Sequence, residues 1–330
     1  MKIAAMGVVF AGGAGVGRLQ AALREAAPPA PRMLERESIP VLALPPGAFS
    51  GNPVLAPARR ADRFCKMALL AGMEAWQGCA ADPRRTGIIL ATALGSHATV
   101  FRYIGEMLDF GGEKASPTLF SQSVHAAAAS MIATSAGLHG PVLTLSDLAS
   151  PFTGALSLAG AWLAGGRCDA VLVAAVDELS DVLAHVVRRK WRAADAGYQA
   201  DPAQDDAMRG TVPGEGAVCF RLEREGSLRV AAEAVSQPGA ICRLMDRGAL
   251  GAMPPEPVLA AGDGGAPDLC LTPYWGSMRI GAAFNLAAAV IMLREQRLFA
   301  GSGTSPEPPA GTRPWREARI EIVPACGGGR

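Results

Sequence analysis

Residues 140–178, GPVLTLSDLASPFTGALSLAGAWLAGGRCDAVLVAAVDE, read as a buried strand, a sharp turn, a buried helix and a second buried strand. Many α/β enzymes mount a nucleophile at a turn of that kind. Here the turn holds Leu148, Ala149 and Ser150, and no cysteine falls between Cys79 and Cys168. The four histidines are His97, His125, His139 and His185, so none follows residue 185. A serine at the turn would need a neighbouring base, and the later part of the chain offers no imidazole for it. Ser150-Pro151 fits a helix start instead, with serine as the cap and proline preorganised for the first turn. Asp147 is the other polar candidate, but an aspartate ahead of a helix ordinarily caps it or satisfies loop amides. The segment looks like an enzyme scaffold whose usual chemistry has been taken out.

Composition narrows the classes. The chain has 330 residues, 50% of them hydrophobic and 18% charged, with a net charge of +1. That is enough apolar side chain for an extensive core and a large oligomeric interface, since obligate interfaces are more apolar than ordinary surface. The longest basic run is Arg188-Arg189-Lys190, which is no nucleic-acid footprint. Seven cysteines without CxxC or CxxH pairs make neither a disulfide framework nor a zinc site. They read as free, buried cysteines in a reducing cytoplasm. The start, MKIAAMGVVFAGGAGVG, is glycine-broken and reads as a first strand and loop rather than a signal peptide. No apolar run reaches membrane-spanning length without Gly or charge. GSGTSP and GDGG lack the strand, helix and Lys-Ser/Thr pair of a phosphate loop, and no cofactor or metal is expected.

The elements that position these residues alternate. IAAMGVVF is a strand, GRLQAALREA a helix and residues 27–59 a proline-rich loop. ADRFCKMALLAGMEAWQG is a helix, TGIILATALG a buried strand and FRYIGEMLDFGG an amphipathic helix with glycine as its stop. SQSVHAAAASMIATSAGL is another helix, and DVLAHVVRRKW follows residue 178 as a further one. Residues 193–213 read as an exposed excursion. GAVCFRLER and LRVAAEAVS are paired strand candidates, PDLCLTPYWG a strand, IGAAFNLAAAVIMLREQRL an apolar helix and ARIEIVPA a last strand. Alternation of this kind predicts mixed sheets covered by helices. The helices at 152–163 and 282–293 are apolar almost all round, and such helices are buried on every side. One in each half suggests a helix pair between two sheets, a layered α-β-α-β-α arrangement. The halves are drawn at 1–185 and 186–330, within a single compact unit.

These segments resemble the β-ketoacyl-acyl carrier protein synthases, members of the thiolase fold. Residues 140–178 look like their nucleophile segment. VPGEGAVCFRLE, with Gly214, Glu215 and Gly216, is similar to their GEGA-then-strand signature. SMRIGAAFNLAAAVIMLREQRL resembles their GHxxGAAG segment and following helix. SPTLFSQSVHAAAASMIATSAGLHGP resembles the helix that leads into the nucleophile strand, and its Ser-Val-His start is similar to type II polyene ketosynthase pairs. The likeness runs from about residue 2 to 323. The chain is shorter than a full family member, with the shortfall expected in 27–59 and 228–268.

The resemblance implies a cysteine at the turn and two later histidines that stabilise developing enolate and oxyanion charge. The matching positions here are Ala149, Ala261 and Met278. The family's last glycine-rich oxyanion loop is reduced to CGGGR. Losing all three groups points to a subunit kept for its shape, resembling the chain-length factors of type II polyketide synthases. The highly reducing or aryl-polyene type is the nearer likeness, because the aromatic type commonly carries glutamine at the turn. The resemblance therefore implies a non-catalytic cytoplasmic partner of an active β-ketoacyl synthase, in polyketide or fatty-acid-like assembly. Such a heterodimer would meet acyl carrier protein as a complex and bind no nucleic acid or membrane. Phe101, Tyr103, Ile104, Met107 and Phe110 lie on a helix that in the family borders the acyl channel, although such spacing also suits plain core. His125, among small residues, is an interface or core group, with contact to a partner's acyl chain as the sharper alternative. His97 reads as a loop or cap residue and Glu215 as a structural hydrogen-bonding one. Two alternatives stay open: an acyltransferase or hydrolase using Ser150 or Ser146, and a homodimeric acyl-binding scaffold.

Overall fold

The computed structural model describes residues 1–34, 36–149, 151–195, 212–224, 228–234, 240–246, 272–276, 278–295 and 317–322. The first strand, β1 (Lys2–Phe10), ends in a tight antiparallel return to β2 (Gly13–Ala14) and leads into helix α1 (Val16–Arg24). The Glu74 carboxylate takes the N–H groups of Val8 at 3.0 Å and Val16 at 2.8 Å, which fixes this corner. The proline-rich stretch expected to be loop contains a small hairpin, β3 (Arg32–Leu34) with β4 (Ile39–Val41). Its apolar side packs with Ala184 and Val187 as a satellite core. Only three residues per strand alternate, too few for the period to stand out in the sequence.

Helix α2 (Arg63–Trp76) starts on Asp62, whose side chain accepts the Cys65 N–H at 2.8 Å. Nine of its residues are buried against the sheet. Strand β5 (Thr86–Thr92) is buried throughout. Then come α3 (His97–Phe110), α4 (Pro117–Ser123), α5 (Ala127–Ala136), β6 (Val142–Ser146), α6 (Pro151–Ala164), β7 (Ala170–Asp177) and α7 (Asp181–Asp195). The single helix expected over 121–138 is thus two helices, broken at Val124–Ala126, where Val124 is extended. Beyond lie β8 (Gly216–Glu223), β9 (Leu228–Ala234), β10 (Ala240–Asp246), the short α8 (Thr272–Trp275), α9 (Gly281–Glu295) and β11 (Glu317–Ile322). Residues 272–275, read as the end of a strand, are this one-turn helix.

One mixed sheet carries all but the hairpin strands, in the order β11-β10-β9-β1-β8-β7-β5-β6, with β2 beside β1. The parallel pairs β6-β5-β7 are the βαβ core, and β8 runs antiparallel between β7 and β1. The expectation that β8 and β9 pair with each other is corrected: β1 lies between them. Helices α2 and α5 cover one face and α1, α6 and α9 the other. Helix α6 packs on β5, β6 and β7 and also reaches β9, while α9 reaches β8 and β11. Strands from both ends of the sheet therefore meet the same apolar helix pair in a thiolase-like α/β fold; where two sheets were expected around that pair, the described strands form one mixed sheet beside the small hairpin. Burial of α6 on every side is not observed, because Ser157, Ala161 and Ala164 are exposed among the described residues.

Glycine is required where backbones touch. A Cβ on Gly214 would lie 1.9 Å from the Trp275 carbonyl oxygen, and one on Gly216 would lie 2.4 Å from that of Val9. The GEGA segment is the point at which β8 threads between β1 and the α8 turn.

Candidate functional site

Everything at the candidate site hangs on the carboxyl ends of β5, β6 and β7, where open α/β sheets place their sites. β6 runs parallel to β5 with Ser146 opposite Thr92. Past that pair, the Ser146 hydroxyl donates to the Ala93 carbonyl at 3.3 Å and the Asp147 N–H to the Thr92 carbonyl at 3.2 Å. The Asp147 carboxylate accepts the Ala149 N–H at 3.0 Å, as a short Asx turn does. Leu148 and Ala149 are exposed on this turn. Ser150, the proposed cap, lies outside the described residues, and α6 begins at Pro151.

Asp177, at the end of β7, holds the site together. It is fully buried and accepts from the Thr92 hydroxyl and the Ala93 N–H, both at 2.9 Å, and from the N–H groups of Leu94 and Ile280. Burial pushes its carboxyl up to about 6 despite these donors. Through Ile280 it ties the β5 turn to the segment before α9, where Met278 sits half-buried against the core. The turn carrying Ala149 and the segment carrying Met278 are thus joined by one hydrogen-bonded network. Ala261, the third matched position, lies outside the described residues.

Burial pushes up the thiols of Cys65, Cys168 and Cys219, which lie in apolar surroundings. His125 stands exposed between α4 and α5, over Gly95: a Cβ on Gly95 would lie 2.7 Å from its ring. Gly95 also has φ +63°, so the position needs glycine twice over. His97 is the first residue of α3 and is buried, more than a loop residue would be. Its Nδ1 faces the Gly95 carbonyl at 3.3 Å, and burial pushes its pKa down.

A second buried cluster, missed in the sequence except for Glu215, lies beneath α3. Glu215 is paired with Arg63, whose Nε donates to it at 2.8 Å, and it accepts the N–H groups of Leu44 at 2.8 Å and Leu179 at 3.2 Å. These contacts tie the segment before β8 to α2 and to the residues that follow β7. Glu178 accepts the Ala98 N–H at 2.9 Å, and Asp62 accepts the Thr99 hydroxyl at 2.7 Å. The available signals were small: Asp62-Arg63 ahead of a helix and Glu178 closing a strand.

The channel candidates are not plain core. Only His97 and Thr99 of α3 are buried. Phe101, Ile104, Met107 and Phe110 are exposed, while Tyr103 is half-buried with its ring 5.6 Å from that of Phe120. Leu108, Phe120, Val124, Val142, Leu143 and Leu148, not singled out from the sequence, extend the exposed apolar surface. β6 is the last strand of the sheet, so its outer backbone edge is open among the described residues.

No curated protein sequence matches the chain. Solved structures do resemble it. The ishigamide ketosynthase/chain length factor is 21% identical with a TM-score of 0.54, the likeness covering 75% of this chain and 68% of that one. A β-ketoacyl synthase from Burkholderia phymatum STM815 is 23% identical at 0.54, covering 68% and 60%. The ketosynthase ApeO in complex with its chain length factor ApeC, from Xenorhabdus doucetiae, is 17% identical at 0.50, covering 72% and 85%. At these identities the likeness is one of fold, and it spans 60% of the Burkholderia protein's length. No helix among the described residues is long and apolar enough to cross a membrane. The β-ketoacyl synthase N-terminal domain family matches residues 44–227, from just after β4 through all of β8. That match takes in more than half of the sequence, and with the thiolase-like sheet and its apolar helix pair it establishes that the chain belongs to the β-ketoacyl synthase family.

Proposed function

We propose that this chain is a non-catalytic, chain-length-factor-like partner of an active β-ketoacyl synthase in polyketide or fatty-acid-like assembly. The observation that carries the reading is Ala149, exposed on the turn between β6 and α6 and matched by resemblance to the family's cysteine. A methyl group forms no thioester, and no histidine after His185 is present to stabilise an enolate. Met278 stands beside the same network with a side chain that neither donates a strong hydrogen bond nor carries charge.

The partnership has its own support. The outer edge of β6 is open among the described residues, and α3, α4 and the 148–149 turn carry exposed apolar side chains. Exposed apolar surface of that extent marks an interaction site, and an open strand edge is a template for a strand of a second chain. A ketosynthase of the same fold presents a matching strand, so the two sheets would run on across the interface. Phe101, Ile104 and Met107 would then line part of the acyl tunnel, and carrier protein would be met by the complex. A ketosynthase in complex with its chain length factor, from Xenorhabdus doucetiae, is among the structures of similar fold.

Co-expression tests the reading. The chain alone should condense no malonyl units, while the pair with its ketosynthase should purify as one complex and extend acyl chains. Condensation by the lone protein at an ordinary ketosynthase rate would overturn the proposal.

A further inference from the structure

Helix α3 is fastened in an unusual way. Of its fourteen residues only His97 and Thr99 are buried, both in the first turn. The rest of the helix leans on α4 rather than on the sheet. The arm formed by α3 and α4 is thus attached at its base, largely by polar contacts. Thr99 donates to Asp62 at 2.7 Å, Ala98 N–H to Glu178 at 2.9 Å, Ser96 to the Gln122 carbonyl at 2.8 Å and Gln122 to the Arg60 carbonyl at 2.8 Å.

The base is crowded with ionisable groups. Facing Glu178 are His97 from α3, Asp62, Arg63 and Cys65 from α2, and Glu215 from the start of β8. The His97 Nδ1 lies 3.8 Å from the Glu178 Oε1, and its Nε2 is buried without a hydrogen-bond partner among the described residues. One guanidinium, Arg63, therefore serves three carboxylates, and its hydrogen bonds go to Glu215 and to the Leu44 carbonyl. The buried Glu178 accepts only a backbone N–H, and His97, also buried, is a poor counter-ion because burial disfavours its charged form.

We propose that Glu178 is a proton-operated anchor for the α3–α4 arm. Carrying its proton, it sits in the cluster as a neutral group and keeps the first turn of α3 docked. Losing the proton adds a buried negative charge that Arg63 does not balance, and the arm swings off its base to hydrate the carboxylate. Burial, followed by the neighbouring Asp62 and Glu215, holds the Glu178 carboxyl up at about 8, so the change falls close to neutral pH. The anchor stands on this geometry alone. Its consequence for assembly rests on the proposed function, because the arm carries the apolar face assigned to the ketosynthase.

Hydrogen exchange on the full chain, without any partner, tests the anchor. The readout is the protection of residues 97–110 relative to β5 and β7, corrected for intrinsic rates. An arm that opens to ionise one carboxyl should open up to about tenfold more per pH unit below the buried value. Relative arm exchange should therefore rise at least about tenfold between pH 6 and pH 8, and Glu178→Gln should flatten that rise. A constant arm-to-sheet ratio, or a rise that survives Glu178→Gln, overturns the anchor. Should Glu178→Gln not fold, Asp62→Asn keeps the α2 cap while removing a negative neighbour, and it should shift the midpoint to lower pH; an unmoved midpoint overturns the anchor equally. Failure of the chain to pair with a ketosynthase would leave this measurement intact, and a constant ratio would leave the pairing intact.

Discussion

Ala149 and its surroundings separate scaffold from chemistry at the level of single side chains. Because Ala149 is exposed and its N–H is already held by Asp147, a cysteine placed there would meet solvent without disturbing the turn. Ala149→Cys should take one equivalent of iodoacetamide beyond the wild type, yet on the proposed function show no condensation above background, since no histidine follows His185. Condensing activity in that variant would show that a base is present after all. The Arg63–Glu215 pair makes a second prediction. Removing one partner of a buried pair commonly costs about 3–5 kcal/mol, and Arg63 is partly exposed while Glu215 is buried. Arg63→Met should therefore lose about 3 kcal/mol in urea denaturation, because it strands the Glu215 carboxylate. These groups were unevenly legible. The absence of cysteine between Cys79 and Cys168 and of histidine after His185 could be read directly, since an absent residue type needs no geometry. Asp62, Arg63 and Glu178 could not, because they are far apart in the chain and only the fold brings their charges together.

At the scale of elements, glycine separates contact from freedom. Gly214→Ala would drive a methyl group into the Trp275 carbonyl, and backbone cannot yield as a side-chain tip can. It should cost more than about 2 kcal/mol or abolish soluble expression. Gly17 lies in α1 with nothing near its missing Cβ, so Gly17→Ala should stabilise by about 0.5–1 kcal/mol, seen as a higher Tm. The parallel strands and buried helices were legible because continuous apolar runs and all-apolar helices have few other homes. Strand order was not. β8 and β9 follow one another and look like a hairpin, but β1 lies between them in the sheet. Helix α3 also misled in part: its apolar spacing is that of a core helix, whereas the described residues leave that face uncovered. Periodicity reports that a face is apolar and leaves open whether its own chain or another covers it.

At the scale of the whole molecule, the open β6 edge predicts how assembly fails. Val142 and Leu143 are both exposed, so Leu143→Lys should hardly alter the stability of the lone chain, while charge on an edge strand blocks pairing. Gel filtration of the co-expressed proteins should show the complex lost and the monomer intact. Stability should also depend on pH in a set direction. Glu178 has a folded pKa raised from 4.5 to about 8, so its contribution is fully present below pH 4.5 and is lost as pH rises through about 8. Thermal unfolding should move to lower temperature across that window, and the shift should shrink in Glu178→Gln. The position of β1 has a further consequence, for biosynthesis. Its partner β8 begins only at Gly216. On the ribosome the early strand, paired only at its end with β2, must wait for its long partner until most of the family domain has emerged. Long-range pairing of this kind is slow and leaves the nascent chain open to aggregation, so yields should depend on translation speed and chaperone supply more than on the equilibrium stability of the finished protein.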